Sequence, residues 1–163
     1  MIFHKPFGPL IWRTCPFAHL TLGELQFIYM ARQQVFVVEQ ACIYRDADGY
    51  DERAWHVAAW RASERMPVAY ARLIEPGAKY SEASMGRVLT TAAGRGIGLG
   101  RELVRRVIDL ADQVFPNEGL RISAQSRLEH FYTEAGFAVV GEPYLEDGIM
   151  HTEMLLQSAT PTA

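Results

Sequence analysis

Gly94, Gly96, Gly98 and Gly100 alternate across seven residues near the middle of the chain, and this spacing restricts the fold more than any other feature. Glycine at every second position weakens both helix and strand, so the segment reads as a turn. The run before it, residues 86–91, reads as a strand. After it, Leu99, Leu103, Val104, Val107, Leu110 and Ala111 fall on one helical face, and Arg101, Glu102, Arg105, Asp109 and Asp112 fall elsewhere. A strand therefore enters a glycine turn that opens an amphipathic helix. Such a turn aims successive backbone N–H groups at one place, and the helix start adds roughly half a positive charge. Without Cβ atoms the backbone can approach a ligand closely. Both properties suit a pyrophosphate.

The elements around this unit follow from periodicity and turn residues. Residues 11–13 read as a first strand. Thr21 and Glu24 fit a capping box, and Leu22, Leu25, Ile28, Tyr29, Arg32, Val35 and Phe36 follow helical spacing over 22–36, apolar except for Arg32. Residues 43–53 are polar and acidic and read as a loop. Strands are predicted over 55–60, 68–74, 86–91, 120–124, 137–140 and 152–156, with a turn at 146–148 and a short helix over 128–135 closed by Gly136. The central helix ends at Pro116 and Gly119. This order gives an α+β (mixed α/β) domain around one sheet. With 163 residues there is room for one domain, expected over 1–157, followed by a flexible tail at 158–163.

A net charge of −3 offers no basic field for nucleic acid or for an anionic membrane surface. The N-terminal residues lack a continuous apolar run of the signal-peptide kind, and no stretch approaches ~18 apolar residues. The two cysteines, Cys15 and Cys42, form no CxxC motif, so the expected compartment is a reducing cytoplasm. No His/Cys spacing suggests a metal. The segment Asp46-Ala-Asp-Gly-Tyr-Asp51 is like a calcium loop only at its start. It has Tyr50 where an oxygen ligand belongs and Val57 at the twelfth position, so it reads as an acidic surface or acceptor loop.

Three glycine-loop patterns compete for residues 94–101. A Walker A loop needs Gly-Lys-Ser/Thr, which is absent, and a dinucleotide fingerprint needs GxGxxG inside a βαβ unit. Arg95, Gly98 and Gly100 fit instead the R/Q-x-x-G-x-G/A pattern of the GNAT acyltransferases. The segment His130-Phe-Tyr-Thr-Glu-Ala-Gly-Phe137 resembles the FYxxxGF motif of the same superfamily. Val35-Phe-Val-Val-Glu-Gln40, Asp46-Ala-Asp-Gly49, Ala69-Tyr-Ala-Arg72, Gly86-Arg-Val88 and Glu146-Asp-Gly-Ile149 with His151 are similar to the ElaA group within it. The likeness runs from about Leu20 to Met154.

The resemblance implies a central, mostly antiparallel sheet flanked by helices, with two strands splayed to admit the pantetheine of acetyl-CoA. It implies that Val88, Leu89 and Thr90 hold pantetheine, with the Val88 N–H facing the thioester carbonyl. Arg95, Gly96, Ile97, Gly98, Leu99, Gly100 and Arg101 would hold the pyrophosphate, and Tyr132 would protonate the departing thiolate. Many members carry asparagine six residues before this tyrosine, where the present chain has Ser126. The implied reaction is direct attack of a primary amine, in a small molecule or a peptide, on the thioester of acetyl-CoA, with no metal. Members are often homodimers. A CoA-binding module without turnover and an acyl-homoserine-lactone-synthase-like acyltransferase are the alternatives.

In this fold the acceptor cleft is walled by the end of the first helix, the loop after it and the last hairpin. Those regions hold Glu39, Gln40, Asp46, Asp48, Glu146, Asp147 and His151, five carboxylates against one nearby cation, Arg45. The expectation is a cationic amine oriented by Glu39, at the edge of the core, and deprotonated by Glu39 or through water, with Gln40 and His151 beside it.

Overall fold

The computed structural model describes residues 9–158. The chain forms β1 (Leu10–Pro16), α1 (Leu22–Arg32), β2 (Ala54–Arg61), β3 (Ala69–Ile74), β4 (Ala83–Thr90), α2 (Leu99–Val114), β5 (Leu120–Gln125), α3 (Glu129–Glu134), β6 (Ala138–Val139), β7 (Tyr144–Glu146) and β8 (Ile149–Leu156). The expected capping box starts α1: Thr21 Oγ1 accepts from the Glu24 N–H at 3.1 Å, and Glu24 Oε2 accepts from the Thr21 N–H at 2.8 Å. The predicted 22–36 helix leaves α geometry at Arg32 and continues as a π-helical segment, Gln33–Glu39. β7 was not anticipated; its three residues pair with β8 around the 146–148 turn. Of the expected tail at 158–163, only Ser158 lies within the described residues, as do only residues 9–16 of the N-terminal stretch.

The strands make one sheet in the order β1-β2-β3-β4-β5-β8-β6, with β7 added on β8. Every pairing is antiparallel except β4 with β5. A parallel pair needs a crossover, and α2 supplies it. Strand alternation sends Val57, Ala59, Ile122 and Ala124 to the face covered by Leu103, Val104 and Val107 of α2. It sends Ala58, Tyr70 and Leu89 to the opposite face, under Ile28 and Ala31 of α1 and Val35 beyond it.

Two irregularities in this sheet create the site. β4 and β5 pair only at Ala83–Leu120 and Ser84–Arg121 and then part. The β3–β4 register jumps from Tyr70–Leu89 to Arg72–Gly86, a bulge that adds a residue on β4 at Arg87 and Val88. Arg87 takes φ +54° there, an uncommon value for a side chain of its size. The glycine turn follows directly. Gly96 and Gly98 both have φ +77°, and Gly98 is the N-cap of α2. Gly94 is needed for a different reason: a Cβ there would fall onto the Val68 carbonyl oxygen.

Candidate active site

Where β4 and β5 separate, a cleft of about 430 Å³ passes through the sheet. On the α2–α3 side it is lined by Val88, Ile122, Ala124, Leu128 and Tyr132. β5 alternation turns Ser123 and Gln125 to the other side, where Gln40 and His151 join them. The Gln125 amide donates to Gln40 Oε1 at 2.9 Å, tying β5 to the end of the π-helical segment.

Tyr132 sits in the short helix α3 with its ring edge-on to Phe131 and Phe137, at centroid distances of 5.0 and 5.9 Å. The residue is 6% exposed, and burial pushes its phenol up to about 12. Its hydroxyl has no hydrogen-bond partner among the described residues and is not sealed from solvent. A protonated donor therefore opens onto the cleft.

The glycine-loop residues divide by role. Gly96, Ile97 and Gly98 are exposed, and Leu99 is buried as the first core residue of α2. Arg95 turns back on its own strand: Nε and Nη2 donate to the Thr90 carbonyl at 3.1 and 2.9 Å. Arg101 pairs with Glu134 at 2.7 Å and lies over the Phe131 ring, so it joins the start of α2 to α3. Gly100 faces the same ring; a Cβ there would touch Phe131 at 3.7 Å. Leu89 is buried against α1, and Thr90 ends β4. Ser126 exchanges a 2.8 Å hydrogen bond with Thr152 Oγ1.

Among the acceptor-side residues, Gln40 and His151 line the cleft and Glu39 does not. The Glu39 side chain is partly buried, and its carboxylate accepts from Arg95 Nη2 at 2.5 Å. The π-helical geometry of Gln33–Glu39 sets where that segment's side chains fall. His151 Nδ1 lies 2.9 Å from the Ile149 carbonyl. A carbonyl only accepts, so Nδ1 carries a proton and donates to it. Nε2 has no hydrogen-bond partner among the described residues, and the ring stacks on Tyr144.

The acidic loop is not a solvated surface. Arg32, wholly buried, donates to Asp46 Oδ2 and Asp51 Oδ1, each at 2.8 Å. Arg72, also buried, holds Asp48 and Asp51. Arg87 holds Asp46 at 2.8 Å and Asp48 at 3.1 Å, which fixes the unusual backbone at the β4 bulge. Burial raises the Asp48 carboxyl, but the hydrogen bonds and charge of Arg72, then the charge of Arg87, outweigh it and hold the group at about 2. Three arginines thus neutralise three aspartates, and the expected excess of carboxylates around the acceptor is not present. Lys79, from the β3–β4 connection, also lines the cleft and was not anticipated.

The GNAT acetyltransferase domain model matches residues 31–158, which span β2 to β8, the glycine turn and the cleft. The chain belongs to the GNAT family. GNAT enzymes use an acyl-CoA co-substrate and act on amine acceptors, and the chain has the acyltransferase architecture. A UPF0039 protein of Synechocystis is 49% identical over 136 residues, 83% of this chain and 88% of that protein. The crystal structure of an acyl-CoA N-acyltransferase from Pseudomonas aeruginosa superposes with a TM-score of 0.85 at 38% identity, covering 90% of this chain and 99% of the other. Escherichia coli ElaA superposes with a TM-score of 0.84 at 31% identity, covering 91% and 100%. This GNAT chain has no helix among the described residues long and apolar enough to cross a membrane.

Proposed function

We propose that the chain transfers an acetyl group from acetyl-CoA to a primary amine by direct attack within a ternary complex. The observation that carries this reading is the cleft between β4 and β5, lined by Val88 of the bulged strand and by Tyr132, whose hydroxyl has no hydrogen-bond partner among the described residues. The backbone N–H groups from Gly96 to Arg101 at the start of the sixteen-residue helix α2 suit the pyrophosphate. The bulged strand from Val88 to Thr90 suits pantetheine, and the Val88 N–H is the assigned donor to the thioester oxygen.

The amine nitrogen attacks the acyl carbon, the carbon–sulfur bond breaks, and Tyr132 donates its proton to the sulfur. An ammonium cannot attack, so its proton must first leave. From the sequence, that step was expected of Glu39 or of a water path. His151, within the cleft and with Nε2 free of hydrogen-bond partners among the described residues, is the better-placed base, while Glu39 anchors Arg95 of the glycine turn. Holding both reactants in one cleft supplies proximity, and no covalent enzyme intermediate is required. Cys15 and Cys42 are free thiols, consistent with our assignment to the cytoplasm.

Initial velocities of CoA release, measured against acetyl-CoA and a panel of amines, test the proposal. Intersecting double-reciprocal lines are expected. Parallel lines would replace direct attack with a covalent enzyme intermediate. Tight CoA binding with no release for any amine would make the chain a CoA-binding module.

A further inference from the structure

With Asp46, Asp48 and Asp51 matched by Arg32, Arg72 and Arg87, four other charged residues at the cleft have no arginine, lysine or carboxylate partner among the described residues. Two are cations, Lys79 from the β3–β4 connection and Arg45 from the loop after the π-helical segment. Two are anions, Glu146 and Asp147 at the tip of the β7–β8 hairpin. Among the described residues neither cation has a carboxylate within 4.0 Å. Lys79 is exposed, and its Nζ lies 5.3 Å from the centroid of the Tyr80 ring. Burial, then the charges of Arg72 and Arg87, lower its pKa against the opposing charge of Glu146. Lys79 and Glu146 both line the cleft, and no ion pair closes between them.

Opposite charges that face one cleft from different elements and leave a gap suit a ligand bearing both signs. A purely cationic amine would be drawn to Glu146 and Asp147 but would meet Lys79 and Arg45. A ligand carboxylate would complete Lys79 with a charge-assisted hydrogen bond, the strong kind in a partly dry site. Its amino group would then lie on the hairpin side, where Glu146 Oε2 is 4.0 Å from His151 Nδ1. We propose that the acceptor is a primary amine that also carries a carboxylate, an amino acid or the like, and that Lys79 is the residue that selects the carboxylate. This rests on the amine-acetylation reading and narrows its substrate class.

The test pairs α-amino acids with their carboxamides and adds a simple diamine. Each is titrated calorimetrically into the CoA-saturated protein and then assayed for CoA release with acetyl-CoA. At least one amino acid is expected to bind about tenfold or more tightly than its carboxamide, the size of one hydrogen bond to a charged group. Lys79→Met should erase that preference by weakening the acid alone, and Lys79→Arg should retain most of it. Equal or better binding of carboxamides or the diamine overturns the proposal, as does equal loss of acid and amide binding in Lys79→Met. An Arg variant that binds normally but does not turn over would make Lys79 a base rather than an anchor and also overturns it. Absence of measurable binding by every amino acid has the same force. Failure of CoA release with all amines would sink the transfer reading separately, because the binding preference is read without turnover.

Discussion

Tyr132→Phe removes a single oxygen atom from the cleft. The ring keeps its edge contacts with Phe131 and Phe137, and no protein hydrogen bond is lost among the described residues. Stability should therefore change by no more than about 0.5 kcal/mol, the range for substitutions that break no packing or polar network. Turnover should behave differently. A positioned general acid contributes about 10²–10⁴-fold, so the activation barrier should rise by about 3–5 kcal/mol. Because burial pushes the phenol up to about 12, Tyr132 stays protonated at every working pH. The wild-type kcat profile should show no alkaline fall from this group below its pKa. The assay is thiol release under saturating acetyl-CoA and amine, with the acetyl-CoA Kd measured by calorimetry on the same variant. A large drop in kcat with Kd nearly unchanged is the expected pair of results. Full turnover in Tyr132→Phe would refute the assignment and leave water as the proton donor.

Other substitutions separate the remaining parts of the site. Gly98→Val places a β-branched residue at φ +77°, where no protein atom lies within 4 Å of the new Cβ, so its effect should come through loop strain and ligand approach; calorimetry should show CoA affinity down at least about tenfold. His151→Gln should lower kcat/KM by about 10²–10⁴-fold, and full activity in that variant would remove His151 as the base. Arg32→Met leaves Asp46 to Arg87 and Asp51 to Arg72, each with one arginine fewer, and should cost about 1.5–3 kcal/mol, read as a fall in Tm of roughly 3–12 °C. Asp48 has a folded-state pKa of about 2 against 3.8 for the ordinary side chain. Its contribution, about 2 kcal/mol, is fully present above pH 4 and is lost as pH falls toward 2, so denaturant midpoints should drop across that window.

The glycine turn and α2 were readable because a local pattern fixes them: alternating glycines cannot extend the strand, and an apolar stripe must be buried. The capping box was equally local. The end of α1 was not, because a π-helical segment has the composition of a helix but a different phase. The three-residue strand β7 exists only through its partner β8, and too few residues alternate there to be recognised. The charge network left a signal that composition hid. Arg32 interrupts an apolar helical stripe, and Arg72 lies in an otherwise apolar strand. A cation on a buried face requires an anion, and the acidic loop 46–51 is that anion folded inward. Its reading as a surface loop failed because pairing between residues 14 to 41 positions apart has no local trace. Lys79 escaped notice for the same reason, since only the parting of β4 and β5 makes the β3–β4 connection a wall of the cleft.

The most direct test of acyl transfer follows the acyl carbon itself. Acetyl-CoA labelled at the carbonyl carbon is incubated with the protein and an amine acceptor, and the labelled products are separated by mass spectrometry as free thiol appears. The account predicts label in an amide of the acceptor, in equal amount to the CoA released, and loss of both in Tyr132→Phe. Label recovered only as acetate, or retained on CoA while the protein is saturated with both ligands, would contradict it.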